Sequence, residues 1–272
     1  RPDLARLGGY KQEVTILFSD VRGFTVYCEE RKEQPSEVVS ILNEYLGGMT
    51  DTVLEWEGTL DKFVGDAVMV YWGAPLPQED HAWRAVRCAC QMRSRLATLQ
   101  EKWKSEGKQP LDIGIGINTG EAIVGNIGAD GKKMDYTVIG DAVNLSSRLE
   151  GLNKVYGTAA LITAATELLL SERVLRREID RVAVKGKAEA VAIYELMSPT
   201  DAAQHADAFR HFAEGLVHYR NRRWDEAERA FRHTLELKPG DGPSGTLLKR
   251  IEEFRASPPP ADWDGSWQAE TK

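Results

Sequence analysis

Two periods of apolar residues alternate along the first 200 positions of the chain. Short, β-rich apolar runs predict strands at 12–20, 59–73 (two strands joined at Gly65–Asp66), 111–118, 121–127, 134–139, 174–184 and 190–197. Apolar residues at helical spacing predict helices at 36–56, 79–105 and 141–155. Because strands and helices alternate irregularly and hairpin signals are present, we expect an α+β domain. Its sheet should be mostly antiparallel and flanked by helices, not doubly wound and parallel.

The pattern changes after Ser198, which leaves residues 12–198 as the main domain. Residues 199–256 have an almost entirely helical pattern. Four of them fall at the intervals of one tetratricopeptide-like unit, namely Gly215, Ala227, Phe231 and Pro239. Since one such unit cannot bury its own apolar face, we expect these helices to dock onto the main domain or onto a partner. Our hypothesis is that residues 201–272 pack against the main domain and support dimerisation. Residues 257–272 are interpreted as a tail rich in Pro and Trp.

The composition excludes several classes of protein. Lys and Arg number 35 against 42 Asp and Glu, a net charge of −7, so we expect no nucleic-acid partner, which would need a basic face. Cys28, Cys88 and Cys90 suit neither a disulfide framework nor a zinc site. No apolar run approaches the roughly 18 residues of a membrane span, so we expect a cytoplasmic catalytic region. Because the chain begins with Arg1, we expect a longer parent protein, with residues 1–11 as a linker.

Two aspartates stand at the ends of apolar strands, where a carboxylate is unusual without a function. Asp20 ends the first strand, and Asp66 lies in the turn of the hairpin. If these strands are neighbours in one sheet, the two carboxylates converge. Such a pair suits Mg²⁺, which keeps water and phosphate oxygens as its other ligands. For either residue taken alone, a simpler explanation has equal weight: Asp20 caps a helix, or Asp66 is chosen for its turn conformation. The two together favour a metal site more strongly, although the pair is not specific to one.

Other polar residues suit a nucleotide but also have simpler explanations. Asn144 and Arg148 lie four apart on one helix face, where an amide and a guanidinium suit a ribose and a phosphoryl group. A solvated helix face is the simpler interpretation of that spacing. The turn at residues 23–25 would direct backbone N–H groups at a phosphate. Lys62 and Lys185 could contact a purine and a polyphosphate, although most lysines in such positions are solvated.

Four sequence strings, taken in order and spacing, resemble one family. They are FSDVRGFT (18–25), DKFVGDAVMVYWGAP (61–75), DYTVIGDAVNLSSRLE (135–150) and VKGKAEAVAIYEL (184–196). Together they closely resemble the catalytic domain of class III nucleotidyl cyclases, particularly bacterial adenylate cyclases, over about residues 12–197. The resemblance implies the ferredoxin-like, palm-type fold of that family, followed here by a small helical C-terminal extension.

The resemblance also implies a role for each candidate residue. Asp20 and Asp66 match the aspartates that bind two divalent ions, Mg²⁺ or Mn²⁺, with the backbone carbonyl of Val21 as a further ligand. The remaining matches are Lys62 and Thr137 for adenine, Asn144 for the ribose, Arg148 for the phosphoryl transition state, and Gly23, Phe24, Thr25 and Lys185 for the triphosphate. Guanylate cyclases of the family generally carry Glu and Cys where this chain has Lys62 and Thr137, so the resemblance implies ATP as substrate.

Members of this family form head-to-tail dimers with shared active sites. Because the chain holds residues of both halves of a site, a homodimer is implied. Threonine at position 137 is typical of a subgroup of the family with bicarbonate stimulation, so we expect bicarbonate to stimulate this protein. The C-terminal extension resembles those of cyclases with an upstream sensor domain, so we also expect such a domain in the full-length protein. The alternatives are a guanylate or relaxed-specificity cyclase and a non-catalytic, cyclase-like scaffold. The scaffold is disfavoured because Asp20, Asp66 and Arg148 are all present.

Overall fold

The computed structural model describes residues 8–129, 132–171, 174–184 and 190–269. Their strands are β1 (Gly8–Val21), β2 (Thr59–Val64), β3 (Ala67–Trp72), β4 (Ile113–Ala129), β5 (Lys133–Ile139), β6 (Ala160–Thr163), β7 (Arg176–Val184), β8 (Val191–Leu196) and β9 (Trp267–Ala269). Their helices are α1 (Phe24–Glu30), α2 (Pro35–Glu55), α3 (His81–Ser105), α4 (Asp141–Tyr156), α5 (Ala164–Glu167), α6 (Pro199–Gln204), α7 (Ala206–Arg220), α8 (Trp224–Leu237) and α9 (Gly242–Ala256). None of these helices is long and apolar enough to cross a membrane.

One sheet contains these strands, in the order β2-β3-β1-β4-β6-β8-β7-β9, with β5 paired to β4. Among the described strands, β4 with β6 and β7 with β9 are the parallel pairs, and the others are antiparallel. The predicted mostly antiparallel sheet with flanking helices is therefore confirmed. The prediction of separate strands at 111–118 and 121–127 is wrong. Thr119 and Gly120 pair with β1 without a break, so β4 is one continuous strand.

Helices cover both faces of the sheet. On one face, Tyr45 of α2 and Met92 of α3 pack with Leu17 and Ile115 in the larger apolar core. On the other face α4 lies directly against β1 and β4. There a Cβ atom on Gly116 would come within 2.3 Å of the backbone nitrogen at position 150. This close approach needs glycine, and it fixes the position of the helix that carries the predicted ribose and phosphoryl residues.

The helical extension packs against the main domain, as expected. Tyr156 at the end of α4 and Ile179 of β7 share an apolar cluster with Phe212, Phe231 and Ile251 of α7, α8 and α9. This cluster supplies the cover that a single helical unit lacks. A contribution of the extension to dimerisation stays a prediction.

Buried ion pairs join the same two regions. Arg250 of α9 pairs with Asp180 of β7, with side chains 5% and 1% exposed. Asp241 at the start of α9 accepts a hydrogen bond from Arg177 of β7 at 2.5 Å. Because a buried charge needs a charged or hydrogen-bonding partner, these pairs tie α9 to the sheet of the main domain.

Two terminal predictions need correction. The chain enters the sheet at Gly8, so residues 8–11 belong to β1 and not to a linker. The segment predicted as a tail contains β9, which pairs in parallel with β7 so that Trp267 lies opposite Val182. The tetratricopeptide-like assignment stays a prediction.

Candidate active site

The two predicted metal-binding aspartates lie together. Asp20 ends β1, Asp66 lies in the turn between β2 and β3, and β1 pairs directly with β3. The two carboxyl groups share a hydrogen bond. Burial first, and then the negative charge of Asp66, raise the pKa of Asp20 to about 6. A pair of carboxylates held this close repel one another, and a bound cation would relieve that repulsion.

A third acid lies beside this pair. Glu150 of α4 reaches over Gly114, the residue opposite Asp20 in β4, and a Cβ atom on that glycine would come within 2.4 Å of Glu150 Oε1. Burial raises the pKa of Glu150 to about 7, and the charge of Asp20 adds to the rise, whereas Arg22 opposes it. Sequence reasoning did not find this group, although the small residue at 114 leaves the space that Glu150 enters.

The aspartate pair fits a magnesium-type ion. Within the described ranges, no cluster of three or more His, Cys, Asp or Glu side chains has a metal-binding arrangement. Mg²⁺ needs no larger cluster, since it is usually held by one or two carboxylates and keeps water and phosphate oxygens. Asp20, Asp66 and the adjacent carbonyl of Val21 are the groups that would hold such an ion.

The turn after β1 offers backbone groups beside these acids. Gly23 has a φ of 66°, a left-handed conformation that favours glycine, and α1 begins at Phe24. Both Gly23 and Thr25 are exposed, and Phe24 is half-buried. The turn therefore follows Asp20 directly, as the sequence predicts for a triphosphate contact. Lys185, predicted for the same ligand, lies outside the described residues.

The predicted adenine residues form a cluster of their own. Thr137 of β5 donates a hydrogen bond through Oγ1 to Asp61 Oδ2 at 2.7 Å. Lys62 Nζ lies 3.7 Å from the same carboxylate oxygen. The structure thus brings Lys62 and Thr137 together, as predicted, and it adds Asp61, which sequence reasoning missed. We refer to Asp61, Lys62 and Thr137 as the base cluster.

The ribose and phosphoryl candidates lie on α4. Gly140, with a φ of 143°, precedes the helix, and its carbonyl accepts the backbone N–H of Asn144 at 3.3 Å. Asn144 is exposed and Arg148 is half-buried, one turn apart on the same helix face. This placement presents an amide and a guanidinium together to a ligand or to a second subunit.

Comparison with known proteins identifies this arrangement. Residues 9–198 match the family described as the adenylate and guanylate cyclase catalytic domain. The chain belongs to that family. The predicted recognition of a class III nucleotidyl cyclase domain is therefore confirmed.

Named relatives of this cyclase domain include adenylate cyclases. It is 37% identical over 199 residues to adenylate cyclase 1 of Rhizobium meliloti (strain 1021), a match that covers 73% of this chain and 30% of the relative. It is 38% identical over 192 residues to an adenylate cyclase of Anabaena cylindrica, which covers 68% of this chain and 37% of that one. The chain therefore spans about a third of the length of these curated relatives.

Solved structures show the same fold. The adenylyl cyclase CyaB from P. aeruginosa is 40% identical, with a TM-score of 0.65 over 72% of this chain and 99% of that chain. The guanylyl cyclase Cya2 is also 40% identical, with a TM-score of 0.63 over 71% of this chain and 97% of that one. Because both structures share the same identity with the cyclase domain, overall likeness does not decide between ATP and GTP.

Proposed function

We propose that the cyclase domain converts ATP into 3′,5′-cyclic AMP and pyrophosphate. The observation that carries this proposal is the cluster of Lys62 with Thr137. Adenine has a hydrogen-bond acceptor at N1 and an amino donor at C6, whereas guanine has a donor at N1 and a carbonyl acceptor at C6. A lysine can only donate, so Lys62 suits N1 of adenine, and a threonine hydroxyl can accept the hydrogen bond of the amino group.

The reaction is an in-line attack of the ribose 3′-hydroxyl on the α-phosphorus. The new O3′–P bond replaces the bond to pyrophosphate, which leaves, and the hydroxyl proton passes to water or to a substrate phosphate. Two bound divalent ions would lower the pKa of that hydroxyl and neutralise charge on the phosphates. Asp20 and Asp66 would hold these ions, and the amides of the turn at 23–25 would bind the triphosphate together with Lys185. Asn144 orients the ribose, and Arg148 stabilises charge on the α-phosphoryl oxygens in the transition state.

The site is shared between two copies of the chain. Supporting this, a group of large apolar side chains near the base cluster and on the strand pair β4–β5 is exposed, and its members are Phe63, Val64, Ile123, Met134 and Ile139. Exposed apolar patches on soluble domains commonly mark protein interfaces. A homodimer with two equivalent sites would cover this group. Bicarbonate stimulation, an upstream sensor and a cytoplasmic location of the domain stay predictions.

Product formation from ATP and from GTP tests the proposal. We expect cyclic AMP as the main product with Mg²⁺ or Mn²⁺, and a specific activity that rises with protein concentration as dimers form. Asp66→Asn should abolish activity because it removes a metal carboxylate. Asp51→Asn is the matched control, since Asp51 is an exposed acid whose partner is Arg95, and it should keep full activity.

Two results would contradict the proposal. Cyclic GMP as the main product would favour a guanylate cyclase, the activity of Cya2, whose structure is as similar as that of CyaB. No product from either nucleotide, with the dimer confirmed by mass, would favour a binding role without catalysis.

A further inference from the structure

A buried carboxylate stands in the base cluster at an irregular point of the sheet. The pairing of β2 with β3 shifts between Leu60 and Lys62, so Asp61 occupies a β-bulge. A bulge changes the direction in which a side chain points, and such irregularities are common beside active sites. Here the Asp61 side chain is only 1% exposed.

The two oxygens of this carboxylate have different surroundings. Oδ2 accepts the hydrogen bond from Thr137 and lies near Lys62 Nζ. Oδ1 is buried and, in the part of the chain that the structure describes, has no hydrogen-bond partner. An unpaired buried carboxylate oxygen destabilises a folded protein, so its retention requires a reason other than stability.

The hydrogen bond to Asp61 fixes what Thr137 can offer a ligand. A threonine hydroxyl has one hydrogen and two lone pairs. Since the hydrogen points at Asp61, only the lone pairs remain for a purine. The hydroxyl then accepts but cannot donate, and the free Oδ1 of Asp61 has the same property.

We propose that Asp61 is a specificity-determining residue that makes the purine site accept, and not donate, hydrogen bonds at the 6-position. The amino group of adenine satisfies such a site, whereas the carbonyl of guanine at the 6-position would face the acceptor oxygens of Thr137 and Asp61, and the N1 hydrogen of guanine would face the ammonium group of Lys62. This inference rests on the proposed function, because it assumes that Lys62 and Thr137 face the base. Asp61 acts through Thr137 and holds Lys62 beside it.

Asp61→Asn is the most informative variant. The side chain keeps its shape, but its amide can donate to Thr137 Oγ1 and release the hydroxyl hydrogen toward the base. Guanine would then be tolerated better, and the ratio of kcat/KM for ATP over GTP should fall about 10- to 100-fold, the range of one hydrogen bond to a charged group. Asp61→Ala, which removes both oxygens, should also lower the ratio and serves as the second variant where the Asn protein folds poorly.

Two comparisons separate this role from a structural one. In a Thr137→Val background, Asp61→Asn should lower the ratio by much less than in the wild type, since coupled residues are not additive. Tyr71→Phe is the matched control, because the Tyr71 hydroxyl, like Asp61 Oδ1, is a buried polar group without a hydrogen-bond partner among the described residues. It should leave the ratio unchanged.

Equilibrium binding of α,β-methylene analogues of ATP and GTP provides a readout that does not require turnover. A fall in both the kinetic and the binding ratio in Asp61→Asn supports the proposal. An unchanged preference for ATP in both Asp61 variants overturns the proposal and leaves the adenylate cyclase function standing. A wild-type protein that prefers the GTP analogue, or binds neither, overturns the proposed function and this inference together.

Discussion

Arg250 of α9 provides a sharp test of how the helical extension is held on the cyclase domain. Its guanidinium donates hydrogen bonds to Asp180 of β7 and to the hydroxyl of Tyr156. The hydroxyl of Tyr156 in turn donates to Asp180 at 2.5 Å. Tyr156 is the last residue of α4, the helix that carries the predicted ribose and phosphoryl residues. The contact therefore links the extension to the candidate active site.

Arg250→Met keeps most of the buried volume but leaves Asp180 as a buried charge without its cation. Breaking one side of a buried ion pair costs about 3–5 kcal/mol. Each kcal/mol lowers the melting temperature of a domain of this size by about 2–4 °C, so we expect a fall of about 6–20 °C. Differential scanning calorimetry or urea unfolding measures the loss.

Arg255→Met is the matched control on the same helix. Arg255 pairs with Asp225 and Glu228, but at the surface, where water and salt screen the charges. Its loss should therefore be clearly smaller. The double variant Asp180→Leu/Arg250→Met should recover much of the stability, because no unpaired charge remains. If Arg250→Met unfolds no more easily than Arg255→Met, the buried pair does not hold the extension in place.

Residues in and around the candidate site provide three further tests. The pKa of Asp20 is raised on folding, so the folded protein binds this proton more tightly than the unfolded chain does. Without metal, the wild type should therefore lose stability relative to Asp66→Asn as the pH rises from about 4 to about 6. Melting temperatures of the two proteins across this pH range measure the difference. An opposite trend would contradict the close pairing. Gly116→Ala should displace α4 and lower kcat, because a Cβ atom there meets the backbone of that helix. Gly151→Ala lies on the open side of α4 and should stabilise the helix by about 0.5–1 kcal/mol. Equal effects of the two variants on stability in calorimetry would refute the close packing. Arg148→Ala should lower kcat about 10²–10³-fold with little change in KM, and a change mainly in KM would assign Arg148 to substrate binding.

Much of this fold could be predicted from local patterns. The strands and long helices of the main domain carry apolar residues at a clear period, since each buries one face against the core. The convergence of Asp20 and Asp66 also follows from the sequence once β1 and the hairpin share a sheet. In the structure β1 pairs directly with β3, so the end of β1 and the hairpin turn lie side by side.

Other elements depend on contacts that a local pattern does not contain. Thr119 and Gly120 resemble a turn, yet they continue β4 because β1 supplies partners for this strand without a break from Ile113 to Asn126. The four residues of β6 are too few to show a period. The pairing of β9 with β7 joins segments more than 80 residues apart, and the sequence around Trp267 does not predict a strand there.

The missed site residues have the same explanation. Asp61 belongs to the site because it lies in a bulge and accepts a hydrogen bond from Thr137, which is 76 positions away in sequence. Glu150 comes near Asp20 only because Gly114 has no side chain. In each case the chemistry depends on a space or a partner that tertiary structure creates.

Each catalytic site is proposed to be shared between two copies of the chain. Asp66→Asn and Arg148→Ala should each be nearly inactive alone, because every site in either homodimer lacks one essential group. In an equal mixture, half of the dimers would carry one variant of each kind and so one complete site, which predicts about a quarter of the wild-type activity. Cyclic AMP formation by the mixture at that level supports the shared site. Activity no higher than that of the separate variants, with subunit exchange confirmed by mass, would contradict it.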